Sequence, residues 1–408
     1  MTTALNEAAA AVVRATVPAL AAHGHAVTTA MYRRLFRDER IAALFNHANQ
    51  GGDNAQAHAL AGAILAYAQH IDDLPALAGA LERIAQKHVG YHILPEHYPF
   101  VARALLGAIE ETLGEAATPQ VLAAWGEAYW FLADLLQRRE AELRGELAQA
   151  VGGWSGWREF VVAAKRTENA SRDAAIVSFE LRPADGGAVI AHRPGQYLTL
   201  RYPVPGQGAV KRNYSISCGP NREGYRITVK REARGHGGSR HLHDAVKPGD
   251  RIELTPPAGD FFLPDAPPRP VVLLSGGVGL TPMVSMLEAI AARHPDLDTH
   301  YVHGTADGAS HAMAAHVRAL AQAHGRIRVS TFYAQPLADE AARGEPHRAG
   351  LIDTDWLRAN VPLLDADIYL CGPRPFLRAL VPALASAGVA GERVHYEFFG
   401  PSDEQLAA

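Results

Sequence analysis

The chain has 408 residues, 48% of them hydrophobic and 20% charged, with 39 basic and 43 acidic side chains and a formal net charge of -4. At roughly 150 residues per domain such a length holds two or three domains with sizeable cores, and the balanced charge excludes a basic nucleic-acid surface. Two cysteines, Cys218 and Cys371, are too few for a disulfide-built scaffold or a four-thiolate metal site, so any metal must take other ligands.

From Asn6 to about Ala150 apolar residues recur at helical spacing. The runs Glu7 to Ala22, Val27 to Phe36, Ala55 to Ile71, Ala76 to Lys87, Pro95 to Leu113 and Pro119 to Leu147 predict an all-helical domain over residues 1–150. The glycine- and tryptophan-rich segment Val151 to Trp157 marks a junction. After it come short β-type runs at Phe160 to Ala164, Ile176 to Leu181, Gln196 to Tyr202, Asn213 to Ser217, Tyr225 to Lys230 and Arg251 to Thr255, which predict a small antiparallel β-barrel over 151–267. From Pro270 strands and helices alternate: Val271 to Leu274, His300 to His303, His311 to Ala323, Arg326 to Phe332 and Ile368 to Cys371. These predict an α/β domain with a doubly wound parallel sheet over 268–408. The polar stretch Gln335 to Gly350 reads as a loop.

Ser275-Gly-Gly-Val-Gly-Leu-Thr-Pro282 lies between a buried-type strand and a helix, where glycines let the backbone approach a pyrophosphate at the helix N-terminus. A glycine pair in such a turn serves the turn alone about as often. Tyr369-Leu-Cys-Gly-Pro373 ends another strand in a permissive turn, which a parallel sheet sets on the same carboxyl edge. No Arg or Lys closely follows His303 to pair a 2′-phosphate, which favours NADH over NADPH.

Arg212-Asn-Tyr-Ser215 sets a cation, an aromatic ring and a hydroxyl at adjacent and alternating positions, a set suited to an anionic aromatic cofactor. Arg193-Pro-Gly-Gln-Tyr197 is a second such set. In Gly235-His-Gly-Gly-Ser239 backbone amides and a hydroxyl can cradle phosphates. Each alone reads more readily as a solvated barrel loop. Residues 155 to 408 together resemble the ferredoxin–NADP reductase family, in which an Arg-x-Tyr-Ser motif holds FAD on a barrel beside a nicotinamide-binding sheet. The resemblance implies that Arg212, Tyr214 and Ser215 bind FAD, with Tyr197, Gly238 and Ser239 completing the site. It assigns Gly277, Gly279, Thr281 and Pro282 to the nicotinamide cofactor, and Cys371, Gly372 and Pro373 to the surroundings of its reactive ring. In the run His395 to Pro401, Glu397 and Phe399 fall where the family sets an acidic residue and an aromatic against the flavin; Phe398 stands where related proteins often have Cys.

His88 is one of 20 histidines, and a lone helical histidine is usually structural. It follows a helix with apolar residues at Leu77, Leu81 and Ile84. Gln56 and Leu60 share a helix face, Tyr32 lies on an earlier helix and Phe45 at a helix corner. The arrangement resembles a globin, which implies that His88 is the proximal iron ligand, that Phe45 packs on the porphyrin and that Tyr32, Gln56 and Leu60 line the distal side. Tyr98 and Glu140 match the pair that hydrogen-bonds the proximal histidine in bacterial and yeast flavohaemoglobins, and that similarity runs over essentially the whole chain. A carboxylate on the other ring nitrogen makes imidazole a stronger electron donor. Lys87 reads either as a neighbour of a haem propionate or as a solvated lysine.

The resemblance implies one haem b, one FAD and NADH, with NADPH open, and the reaction of a nitric oxide dioxygenase. NAD(P)H reduces FAD, FAD passes single electrons to haem iron, and oxygen and nitric oxide become nitrate. Two alternatives remain at this point: a haem gas sensor, and a general NADH-dependent reductase of ferric compounds, quinones or peroxides. The expected ligands are small molecules, O2, nitric oxide and NAD(P)H, with a lipid in the haem pocket as a further candidate. A monomer is expected, with no nucleic-acid partner. The longest apolar stretches, such as Pro270 to Leu274, fall far short of the roughly 20 residues of a membrane-spanning helix, and the N-terminus has no leader-like pattern, so the expected location is the cytoplasm.

Overall fold

The computed structural model describes residues 5–44, 55–232, 237–338, 340 and 348–399, with the backbone alone for Ala55, Gln56 and Ala59. The chain divides into two compact units between Ala148 and Gln149.

The first unit is all-helical: α1 (Glu7–Ala15), α2 (Val17–Leu35), α3 (Glu39–Ala42), α4 (Ala55–Gln69), α5 (Ala78–Gly90), α6 (Tyr98–Leu113) and α7 (Pro119–Gln149) are its described α-helices. The expected helix Glu7 to Ala22 is cut at Thr16, and its second part is continuous with Val27 to Phe36. Pro18 causes the cut, because it has no N–H to donate and is tolerated only in a first turn. Trp125 plugs the core at the break, its indole N–H donating to Thr16 Oγ1 at 3.2 Å, among Val13, Met31, Leu105 and Ile109.

The second unit has two sheets. Strands β1 (Arg158–Thr167), β2 (Ile176–Pro183), β3 (Tyr197–Val204), β4 (Gly208–Ser215), β5 (Tyr225–Lys230) and β6 (Arg251–Leu254) pair antiparallel in the order β4-β3-β6-β1-β2-β5. A bridge between Ile216 and Ile227 brings the two ends of this sheet together around Phe160, Phe179, Leu198 and Leu200. A short helix α8 (Gly238–Asp244) precedes β6.

Strands β7 (Val271–Gly276), β8 (Thr299–Thr305), β9 (Ile327–Tyr333), β10 (Arg348–Ala349), β11 (Asp367–Cys371) and β12 (Val394–Glu397) form a parallel sheet in the order β10-β9-β8-β7-β11-β12. Helices α9 (Leu280–Arg293) and α10 (Ala314–Ala323) cover the face carrying Leu273, Tyr301 and Tyr369. Helices α11 (Thr354–Asn360) and α12 (Arg374–Ser386) cover the face carrying Val272, Leu274, Val302 and Leu370. Chain order reverses between β7 and β11, the position where open sheets of this kind take ligands. The expected helix from His311 begins only at Ala314, because Met313 takes a left-handed φ of 57°. The expected loop Gln335 to Gly350 contains the two-residue edge strand β10, paired with Phe332 and Tyr333. Among the described residues no helix is long and apolar enough to cross a membrane.

Candidate functional sites

In the first unit the last turn of α5 carries Lys87 and His88, and a long neighbour supplies the partner of the imidazole. His88 Nδ1 lies 2.7 Å from Glu140 Oε1 and 3.1 Å from the Tyr98 hydroxyl, which itself donates to Glu140 Oε1 at 2.5 Å. A carboxylate only accepts, so it sets the ring proton on Nδ1 and leaves Nε2 as the lone-pair nitrogen. Among the described residues both hydrogen bonds of the ring fall on Nδ1, and the side chain keeps 31% of its surface exposed while Glu140 is fully buried. A histidine held on one nitrogen and open at the other is what an axial haem ligand requires, so the donor set fits haem.

Glu140 is anchored as well. Arg144, one turn on along α7, donates to Glu140 Oε2 at 3.2 Å and also to the carbonyl of Ile93. The Tyr129 hydroxyl donates to the Tyr98 carbonyl at 2.8 Å. Burial first, then the bond to Glu140, pushes the Tyr98 phenol well above its ordinary range, so it stays a donor. Sequence reasoning passed over Arg144 and Tyr129, although the four-residue step from Glu140 to Arg144 was a usable signal.

Tyr32 lies near the end of α2, stacked on Phe36 with ring centroids 5.5 Å apart, and its burial raises the phenol in the same way. Leu60 on α4 packs against the same core. Gln56 lies on α4 one turn before Leu60, but its side chain, like all of Phe45, lies outside the described residues.

In the second unit the register of β3 with β4 sets Tyr197 opposite Ser215, Leu198 opposite Tyr214 and Leu200 opposite Arg212. Directly opposed residues share a face, so Tyr197 and Ser215 lie on one side and Arg212 and Tyr214 on the other. The Tyr202 and Tyr214 hydroxyls are 3.2 Å apart. Gly238 opens α8 against this group: a Cβ there would stand 3.1 Å from both Arg212 Nε and the Tyr202 hydroxyl. Ser239 Oγ accepts from Glu232 N at 3.1 Å. Gly235 and His236 lie outside the described residues. The Ser215 hydroxyl is buried with no partner among the described residues. A buried orphan hydroxyl on the face of Tyr197, at the end of the strand that carries Arg212 and Tyr214 on its other face, fits a bound flavin, whose polar edge would satisfy it.

The two turns on the parallel sheet meet. A Cβ on Gly279 would lie 2.1 Å from the Cys371 carbonyl oxygen, so only glycine permits this approach, and Gly277 takes a positive φ of 54°. Gly276 lies against Pro373, and Gly372 against Phe376. The buried Thr281 hydroxyl donates to the Val278 carbonyl at 3.1 Å, and Pro282 is buried beside it at the start of α9. Cys371 pairs with both Ser275 and Glu397 across the sheet. Burial first, then the charge of Glu397, raises its thiol well above the ordinary range, so it is neutral and not a nucleophile. Phe399 follows, 44% exposed. The Arg374 guanidinium lies over the Phe398 ring at 4.9 Å. A glycine cradle before a helix with a strand-end turn packed on it fits a dinucleotide.

The chain matches a globin family model over residues 17–136, an oxidoreductase FAD-binding domain over 162–263 and an oxidoreductase NAD-binding domain over 273–381. It is 58% identical over 397 residues to a flavohemoprotein of Xylella fastidiosa strain 9a5c, covering 97% of each chain. It is 45% identical over 395 residues to a flavohemoprotein of Bordetella pertussis, covering 96% of this chain and 97% of that one. Among solved structures it is similar to a flavohemoglobin from Malassezia yamatoensis with bound FAD and heme, at a TM-score of 0.85 and 26% identity over 98% of this chain and 100% of that one. It is also similar to the FAD/NAD binding domain of a nitric oxide dioxygenase from Vibrio cholerae, at a TM-score of 0.54 and 37% identity over 60% of this chain and 99% of that one.

Proposed function

The chain belongs to the flavohemoprotein family, and on that premise we propose that it is a nitric oxide dioxygenase that turns nitric oxide and O2 into nitrate at the expense of NADH. The observation that carries the reading is the buried Glu140 carboxylate on His88 Nδ1, in one chain with FAD- and NAD-binding domains. An imidazole so bonded donates electron density to iron, which suits oxygen activation better than oxygen storage. When bound, the nicotinamide supplies a hydride, the flavin divides it into single electrons, and haem iron uses them with dioxygen and nitric oxide.

The chain's own residues then have these roles. His88 Nε2 would hold the iron of a noncovalent haem b, Tyr98 and Glu140 would fix the imidazole tautomer, and Lys87 would pair with a propionate. The Tyr32 hydroxyl donates to a polar ligand on the distal side, helped by Gln56, with Leu60 and Phe45 closing the apolar walls. Arg212, Tyr214, Ser215, Tyr197, Gly238 and Ser239 hold FAD, and Glu397 and Phe399 lie against its ring. Gly277, Gly279, Thr281 and Pro282 hold the nucleotide, while Cys371, Gly372 and Pro373 border its reactive end. We place the protein in the cytoplasm as a monomer.

Stopped-flow mixing of nitric oxide, NADH and the loaded protein in air tests the reading. Two nitrates formed per NADH oxidised support it. NADH loss without nitrate would replace it with a general reductase, and slow turnover with tight ligand binding would replace it with a sensor.

A further inference from the structure

Two domains within one chain normally move against each other unless something fastens them. In the second unit one stretch of α9 fastens the parallel sheet to the barrel, alongside backbone bonds from Ala170 and Ser171 to the Ala309 carbonyl and from Met313 to the Glu168 carbonyl. Ser285 and Glu288, three residues apart, lie on one face of that helix, and both bond to the loop that continues β4. The Ser285 hydroxyl donates to the Cys218 carbonyl at 2.7 Å, and His192 Nε2 lies 3.0 Å from the same oxygen. Glu288 Oε2 accepts from Gly219 N at 2.6 Å, while its Oε1 accepts from Arg226 of β5 at 2.6 Å and from His316 of α10 at 2.8 Å. Gly219 suits the closeness of this contact, since a Cβ there would stand 3.1 Å from Glu288 Cβ and make the neighbour give by a few tenths of an ångström. Met286, between the two fasteners, packs on Gly195, where a Cβ would fall 2.6 Å from its methyl group. Although burial pushes the Glu288 carboxyl up, His316, Arg226 and the Gly219 amide hold it down to about 2, so it stays charged at any working pH.

The position of this cluster suggests its use. Helix α9 begins directly after the glycine turn Gly277–Gly279, and Glu288 lies about 13.5 Å along it from that turn. The loop it grips follows two residues after Ser215, the last residue of the strand bearing Arg212 and Tyr214. One rigid rod therefore joins the nucleotide turn to the flavin strand. Buried ion pairs contribute little net stability, and their best-attested use is to fix registry.

We propose that Glu288, with Ser285, is a positioning residue for hydride transfer: it clamps α9 to the loop 217–219 and so sets the distance and stacking of nicotinamide on flavin. The proposal rests on the reductase half of the reading above, in which a hydride leaves the reduced nicotinamide and is taken up by FAD. That step oxidises the first and reduces the second by two electrons.

The test is anaerobic stopped-flow reduction of the FAD-loaded full-length protein by NADH, with Glu288→Ala, Glu288→Gln and Ser285→Ala beside the parent. A misplacement of about 1 Å costs about 100-fold in such a step, so Glu288→Ala is expected to slow flavin reduction by about 10- to 100-fold. Glu288→Gln is expected to lie between the two, since it keeps an acceptor for Gly219 and loses the charge facing Arg226 and His316. Two further readouts follow the clamp itself: the long-wavelength charge-transfer band of nicotinamide stacked on flavin weakens, and amide exchange at Gly219 quickens. A seam that only held the fold together would lower thermal stability and leave the band and the transfer rate alone. That result overturns the proposal, as does parent behaviour in all three variants. If Glu288→Ala fails to retain FAD, Glu288→Gln and Ser285→Ala decide by the same criteria. Oxygen, nitric oxide and haem turnover are absent from the measurement, so its failure leaves the dioxygenase reading standing, and missing nitrate with normal flavin reduction fails only that reading.

Discussion

Tyr32 is neutral at any working pH, because burial raises its phenol, and it therefore keeps a proton to donate. Tyr32→Phe removes that donor and keeps most of the packing on Phe36. A hydrogen bond to a charged partner is worth about 1.5 to 3 kcal/mol, and about 1.4 kcal/mol is tenfold in an equilibrium constant. Oxygen affinity of the ferrous protein is expected to fall roughly 10- to 100-fold, through faster dissociation. Flash photolysis measures it, and an unaltered off-rate would remove Tyr32 from the distal side. On the other side Glu140→Gln is expected to keep haem and to slow its turnover by about tenfold, because a neutral amide draws less on the Nδ1 proton. The iron–histidine stretch in resonance Raman is expected to drop in frequency, and an unmoved band would mean that Glu140 does not tune the imidazole. His88, Tyr98 and Glu140 were named through the resemblance to flavohaemoglobins, and their three side chains hydrogen-bond to one another. Arg144 and Tyr129, which hold Glu140 and Tyr98 in place, were not named, because supporting bonds become visible only once α5, α6 and α7 are packed together.

Between elements, a Cβ on Gly279 would fall 2.1 Å from the Cys371 carbonyl oxygen. The obstacle is backbone, which no rotamer change relieves, so Gly279→Ala must move the glycine turn away from β11. It is expected to lower stability by about 1 to 3 kcal/mol and to weaken NADH binding at least tenfold, with FAD content unchanged. Thermal unfolding and nucleotide titration check this, and parent affinity in the variant would mean that the two turns do not form one cradle. The motif Ser275 to Pro282 was readable as a strand-to-helix turn, but its contact with Cys371 and Gly372 follows from sheet order, which no local pattern encodes. Helix boundaries failed for similar reasons. Pro18 divides an apolar run whose periodicity continues through it, and a left-handed Met313 delays α10.

Across the molecule, the two compact units have separate cores. His88→Ala is therefore expected to lose or loosen haem while NADH still reduces FAD at the parent rate; full haem retention would make another histidine the ligand. The second unit also stores buried neutral histidines. Burial lowers His192 to about 4 and His311 to about 4, and holds His303 well below its ordinary value with help from the neighbouring His311. A histidine with a lowered folded pKa binds fewer protons folded than unfolded, so its contribution is complete above about 6.5 and is lost as pH falls toward about 4. For His192 alone that amounts to roughly 3 kcal/mol. The unfolding midpoint of this unit, followed by flavin release, is expected to fall steeply from pH 6.5 downwards, and a flat profile to pH 4.5 would show these rings to be hydrated. By itself the sequence determined the three-part architecture, because helical, alternating and buried-strand periodicities are local properties of the chain. It also determined the residue types able to hold iron, flavin and nucleotide, because each chemistry needs particular donors at short spacing. Only the tertiary structure decided which nitrogen of His88 is bound, which carbonyl Gly279 touches and which loop Glu288 grips. Those contacts join segments 52, 92 and 69 residues apart, and such distant segments meet through packing, which no window along the chain contains.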